Sequence, residues 1–150
     1  MSGWLLDTNT LSELRKPKPE AKVVEFVATQ SLDRLYVSTV TFAEIRFGIE
    51  KLADVGKRSE INLWLQNKLR PMFGSRVLEV SEDVLLKWRL IIENGRKKGH
   101  TFSHPDVLIA ATAACHDLVV ATRDVSDMQA ANVATFNPWS GELFEARDEK

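Results

Sequence analysis

Asp106-Val107-Leu108-Ile109-Ala110-Ala111-Thr112-Ala113-Ala114-Cys115-His116 leads, through Asp117, into Leu118-Val119-Val120-Ala121 and then Thr122-Arg123-Asp124. An alanine-rich helical stretch feeding a short, wholly apolar strand belongs to an α/β domain with a largely parallel sheet. The same rhythm extends outward. Trp4-Leu5-Leu6 reads as a first strand ending at Asp7, and Arg15 to Pro19 as a loop. Pro19 suits the first position of a helix carrying Val23, Phe26 and Val27 on one side. Leu35-Tyr36-Val37 reads as a second strand, followed from Thr39 by a helix with Phe42, Ile45 and Ile49 on its apolar face. Ile61, Trp64, Leu65, Leu69 and Met72 mark a further helix that should stop between Pro71 and Gly74. Val77 to Val80 is the third strand, and Ser81 the N-cap of a helix turning Val84, Leu85, Trp88, Ile91 and Ile92 to a core. Gly95 to His100 reads as a basic exit loop. Val133 to Trp139 is a last apolar segment, which sets an expected domain over 1–139 and a polar tail over 140–150.

Composition narrows the class. The chain has 150 residues, 44% of them hydrophobic and 27% charged, enough for one ordinary core and far from a disordered composition. Twenty basic against 21 acidic residues give a net charge of −1, so nucleic acid cannot be held by bulk charge. A local basic surface or metal ions would have to do it. The single cysteine, Cys115, allows no internal disulfide and fits a reducing compartment. No signal peptide and no membrane-length apolar run is visible, so a soluble, cytoplasmic domain without a membrane role is expected.

The acids sit at telling places. Asp7 ends a strand, Asp124 follows another by a few residues, and Asp106 opens the helix that leads to it. Parallel α/β sheets bind ligands beyond the carboxyl ends of their strands, where the strand order reverses. Asp7 and Asp124 share that edge if their strands are neighbours. Glu44 lies between the core-facing Phe42 and Ile45. Two carboxylates about 4 Å apart repel by about 4 kcal/mol at an effective dielectric near 20. Gathered acids therefore either rise in pKa or bind cations. Oxygen donors without a Cys or His set suit Mg²⁺ or Mn²⁺ rather than zinc, and such ions can activate water against a phosphodiester. Taken singly, each acid also has an ordinary structural reading: Asp7 or Asp106 at a helix start, Glu44 on a helix surface, Asp124 in a turn.

The motifs resemble a known family. Leu5-Leu6-Asp7-Thr8-Asn9-Thr10-Leu11-Ser12-Glu13-Leu14 is similar to the opening motif of PIN-domain ribonucleases of the VapC toxin type. Phe42-Ala43-Glu44-Ile45-Arg46-Phe47-Gly48 resembles the second motif, and Asp106 to Ala113 the third. Val120 to Asp124 and Val133 to Trp139 complete the pattern in order, in the form of the FitB branch. The resemblance implies a three-layer α/β/α PIN-like fold with a central, mainly parallel sheet. It implies Mg²⁺- or Mn²⁺-dependent cleavage of RNA by the toxin of a bacterial type II toxin–antitoxin pair. It carries Asp7, Glu44, Asp106 and Asp124 over as catalytic, metal-holding acids, with Asp127 as the alternate fourth acid. Thr8, Asn9 and Thr122 carry over as hydrogen-bonding supports. Implied partners are a cognate antitoxin, an RNA substrate and operator DNA reached only through the antitoxin, in a homodimer or a hetero-oligomer with the antitoxin.

Other residues have quieter readings. His100, His104 and His116 read as structural or loop histidines, with His104 also able to approach the site as a donor. Cys115 reads as packing, and the tryptophans Trp64, Trp88 and Trp139 as core. Arg15, Lys16 and Lys18, with Arg96, Lys97 and Lys98, are the local candidates for phosphate contact. Two rival functions remain: a PIN-fold binding module with a catalytically weak site, and another metal-dependent phosphotransferase. The second lacks both the Asp-x-Asp of haloacid-dehalogenase-type phosphatases, since Thr8-Asn9 follows Asp7, and a P-loop.

Overall fold

A computed structural model describes residues 3–148. Six strands form one sheet: β1 (Trp4–Leu6), β2 (Leu35–Ser38), β3 (Val77–Leu78), β4 (Val119–Ala121), β5 (Thr135–Asn137) and β6 (Glu142–Phe144). Their order is β3-β2-β1-β4-β5-β6, parallel throughout except for the antiparallel β5–β6 pair. Chain order runs outward from β1 to β2 and β3, then returns to the other side of β1 for β4. The strand order therefore reverses between β1 and β4, whose register pairs Leu6 with Ala121.

Period-two alternation builds two cores from these strands. Trp4, Leu6, Val119 and Ala121 face one layer, where they meet Leu11, Phe26, Val27, Phe42, Ile45, Leu65 and Phe73. Those partners come from α1 (Thr8–Arg15), α2 (Ala21–Thr29), α3 (Thr39–Glu50) and the segment around α4 (Val55–Trp64) and α5 (Arg70–Phe73). Leu5 and Val120 face the other layer and meet Val84, Ile91, Val107, Ile109, Ala110 and Met128. These belong to α6 (Glu82–Lys97), α7 (His104–His116) and α8 (Val125–Ala130). The result is the expected three-layer α/β/α arrangement. Ala110, Ala111 and Ala113 are all buried, and their small side chains let α7 lie close against the sheet.

Several local expectations shift. Pro19 precedes α2 rather than opening it, the cap position falling to Glu20. The helix expected to stop between Pro71 and Gly74 does end there, after Phe73 with Gly74 as its cap at φ 56°, but Leu65–Leu69 widen into a π turn before it. Proline lacks the N–H and crowds the carbonyl four residues back, and the wider turn accommodates both. The third strand is Val77–Leu78, shorter than Val77 to Val80. Ser81 caps α6 as expected, its Oγ accepting the Val84 N–H at 3.2 Å, but Leu85 is 44% exposed and leaves the core to Val84 and Ile91. Residues 95–97, expected in an exit loop, complete α6. Of the segment expected as a tail, Glu142–Phe144 pair with Thr135–Asn137 as the edge strand β6, while residues 149 and 150 lie outside the described residues. Among the described residues, no helix is long and apolar enough to cross a membrane.

Candidate active site

The site is built on the carboxyl ends of β1 and β4. The Asp7 N–H donates to the Ala121 carbonyl at 3.0 Å, and the Thr10 hydroxyl donates to the same carbonyl at 2.8 Å. These bonds close the ladder and hold the two strand ends in register. Asp7 then caps α1, its Oδ1 accepting the Thr8 N–H at 2.8 Å. Its Oδ2 accepts the Thr122 hydroxyl at 2.8 Å. Only 5% of Asp7 is exposed. That burial pushes its carboxyl above the ordinary range, against the lowering effect of the Thr122 and Thr8 bonds, and the charges of Asp124 and Glu44 add to the rise.

Thr122 is the hub. Besides donating to Asp7, its Oγ1 accepts from Asn9 Nδ2 and from the Asp124 N–H, both at 3.0 Å. Asn9 in turn reaches Asp124 Oδ2 at 3.3 Å and accepts the Arg123 N–H at 3.2 Å. Thus Asp7, Thr8, Asn9, Thr122 and Asp124 form one hydrogen-bonded unit spanning more than a hundred residues of sequence.

Two more acids reach this unit through space. Glu44 sits on the exposed side of α3 between buried Phe42 and Ile45, and its charge is felt at Asp7. Asp106 is half-buried in the first turn of α7. Its carboxyl is pushed up to about 6, first by burial and then by the Asp7 charge and by Asp127, while a bond from Ser103 pulls it down. Among the described residues, no three His, Cys, Asp or Glu side chains stand in a ready-made metal-ligating arrangement. The donor set is nevertheless all oxygen, with repelling acids at one edge, which fits a hard divalent cation in its chemistry.

The model of the PIN domain family matches residues 4–131. The chain belongs to that family. This PIN domain is 38% identical over 135 residues to toxin FitB of Neisseria gonorrhoeae, covering 90% of this chain and 97% of that protein. It is 34% identical to a VapC ribonuclease of Sinorhizobium fredii, covering 90% and 96% respectively. The crystal structure of FitAcB from Neisseria gonorrhoeae superposes with a TM-score of 0.87 at 38% identity, over 91% of this chain and 98% of that one. A DNA-bound VapBC from Salmonella typhimurium gives 0.72 at 26% identity, over 86% and 92%.

Asp127 of this PIN domain has partners other than those of Asp7 and Asp124. Its Oδ1 lies 3.0 Å from His100 Nε2, and its Oδ2 accepts the Ser103 N–H at 3.4 Å. Burial raises its carboxyl, but the bonds from His100, Ser103 and Asp106 outweigh that and leave it below the ordinary range. His100, read from sequence as structural, thus touches the acid edge. His104 heads α7 and stacks on Trp88 with the rings 11° from parallel. Arg123, absent from the candidates for phosphate contact above, is exposed between Thr122 and Asp124, its guanidinium 5.1 Å from the Trp139 ring. Its place two residues beyond a buried strand was the available signal. Of the basic residues singled out for phosphate contact, Lys16 is paired with Glu13 at 2.8 Å and Arg96 with Glu93 at 3.3 Å.

Proposed function

We propose that this PIN domain is a metal-dependent endoribonuclease and the cytoplasmic toxin of a bacterial toxin–antitoxin pair. The observation that carries the reading is the meeting of Asp7, Asp124, Glu44 and Asp106 at the reversal of strand order, with Asp7 raised by burial and by the charges of Asp124 and Glu44, and Asp106 by burial and by the charges of Asp7 and Asp127. Asp7, Glu44, Asp106 and Asp124 would hold Mg²⁺, or Mn²⁺ in its place. The bound cation supplies water activation and neutralises charge on the phosphodiester. Asp7 is fixed by Thr8 and Thr122, and Asn9 steadies Asp124, so neither acid needs reordering when the charges are neutralised. Glu44 or Asp106 would assist in taking a proton from the water. Arg123, exposed beside Asp124, is the cation nearest in sequence to the acids for a substrate phosphate.

Similarity to toxin FitB, to VapC ribonucleases and to proteins solved as FitAB and VapBC assemblies supports the toxin reading and an antitoxin partner. DNA in two such structures supports operator contact through that partner.

The test is cleavage of mixed RNA by purified protein with Mg²⁺, with Mn²⁺ and with EDTA. Metal-dependent cleavage that falls at least a hundredfold in Asp7→Asn is expected, which is about 2.7 kcal/mol of transition-state stabilisation. Equal cleavage by the wild type and the variant would overturn the site. Folded, antitoxin-free protein without cleavage would favour the binding-module reading.

A further inference from the structure

We infer that His100 and Asp127 are positioning residues that tie together the helix starts carrying Asp106 and Asp124, and that Asp127 is not itself a metal-holding acid. The inference rests on the nuclease reading above. Its geometric basis is the choice of partners: Asp127 bonds to His100 and Ser103, and not to Thr122 or Asn9, which hold Asp7 and Asp124. Oδ1 meets the His100 ring at 3.0 Å, and Oδ2 accepts the Ser103 N–H at 3.4 Å. Asp124, by contrast, accepts one 3.3 Å bond from Asn9 and is exposed. Asp124 shares the linked Asn9 and Thr122 with Asp7, whereas Asp127 is bonded to His100 and Ser103 instead.

The brace joins two elements at their working ends. Ser103 is the N-cap of α7, whose first turn carries Asp106. Asp127 lies in the first turn of α8, whose N-cap is Asp124. A carboxylate bonded to both His100 and Ser103 therefore fixes the start of α8 against the start of α7.

His100 is itself delivered by a defined helix ending. Gly99 adopts φ 73°, its N–H bonds to the Arg96 carbonyl at 3.1 Å, and the His100 N–H bonds to the Gly95 carbonyl at 2.8 Å. This paired closure with a left-handed glycine is the Schellman ending of a helix. Phe102 then folds back edge-on to His100, ring centroids 4.4 Å apart, over the space left by Gly95. A Cβ on Gly95 would stand 2.5 Å from the Phe102 ring. The turn, the aromatic contact and the missing Cβ together hold the imidazole where Asp127 needs it.

The experiment is Mn²⁺ titration of the full chain without RNA, followed by calorimetry, with a thermal melt of each variant. The set is wild type, His100→Ala, His100→Gln, Asp127→Asn, His100→Ala combined with Asp127→Asn, Asp124→Asn and Asp7→Asn. Groups that orient metal ligands cost about 10- to 100-fold in affinity when removed. Equal, roughly tenfold weakening is therefore expected for His100→Ala and Asp127→Asn, at unchanged stoichiometry, with the double variant no weaker than either. His100→Gln, whose amide can still donate to Asp127, should recover most of the loss. RNA cleavage should show the same pattern in kcat with KM little changed. A much larger loss in Asp127→Asn than in His100→Ala would make Asp127 a direct ligand and overturn the inference. So would His100→Ala binding Mn²⁺ like wild type while Asp7→Asn does not. Wild type and Asp7→Asn that bind Mn²⁺ equally, or not at all, would overturn the metal reading and this inference with it.

Discussion

Asp7 and Asp106 belong to the same acidic edge and are held there by different means. Asp7 follows directly on a buried strand, is 5% exposed, and has each oxygen bonded by a neighbour fixed to the sheet. Asp106 stands at the start of a helix after an irregular loop, half-buried, and takes its place from Ser103, Asp127 and His100. The Asp7 corner is rigid because every group in it belongs to β1, β4 or the first turn beyond them. The Asp106 corner depends on a loop closing correctly.

Four changes would break or sharpen this contrast. The largest effect is expected for Thr122→Val, which deletes a buried hydroxyl serving Asp7, Asn9 and the Asp124 N–H. Leaving those groups unpaired should cost about 2–3 kcal/mol, read from urea unfolding; a loss under about 0.5 kcal/mol would mean the rigid corner does not depend on its hub. Gly95→Ala ought to gain about 1 kcal/mol in an open helix, yet here its Cβ would collide with Phe102. A net loss of about 1 kcal/mol is expected, with the His100 ring proton resonances shifted in NMR spectra. A more stable variant with unshifted resonances would show that Phe102 moves aside freely.

Titration separates the two states of Asp106. Because its folded pKa, about 6, lies above the ordinary value, the folded chain binds this proton more tightly than the unfolded chain. Its favourable contribution is full below about pH 4 and is lost as pH rises through about 6. In EDTA, Asp106→Asn should match wild type near pH 4 and exceed it at pH 7 by about 1 kcal/mol, after discounting for the solvent around a half-buried group. A difference that does not vary with pH would refute the rise assigned to burial and the neighbouring charges. The smallest effect belongs to Leu85→Gln. Leu85 was expected in the core but is 44% exposed, so its loss should stay within about 0.5 kcal/mol in the same unfolding assay.

The strands, their apolar runs and most helices were legible because each is a local pattern: Leu5 and Val120 alternate faces with their neighbours, and Ser81 caps the helix that follows it. The adjacency of Asp7 and Asp124 was legible conditionally, on β1 and β4 being neighbours, which they are. Less could be read where distant segments compete. Nothing local marks the π turn at Leu65–Leu69, and 142–144 look like tail until β5 offers them an edge. Leu85 carries a core residue's side chain but sits on the wrong arc of α6.

The sequence by itself determined which residues become strand ends and helix starts, and thus which acids stand at the edge of the sheet. Backbone periodicity and capping are short-range, so they are written in consecutive residues. Tertiary structure decided which of those acids bond to one another and which are spoken for. Asp127 and His100 are 27 residues apart, and Asp7 and Thr122 are 115 apart. Bonds across such separations depend on the packing of whole layers, and on helix endings such as Gly99 that aim a side chain no local pattern marks as part of the site.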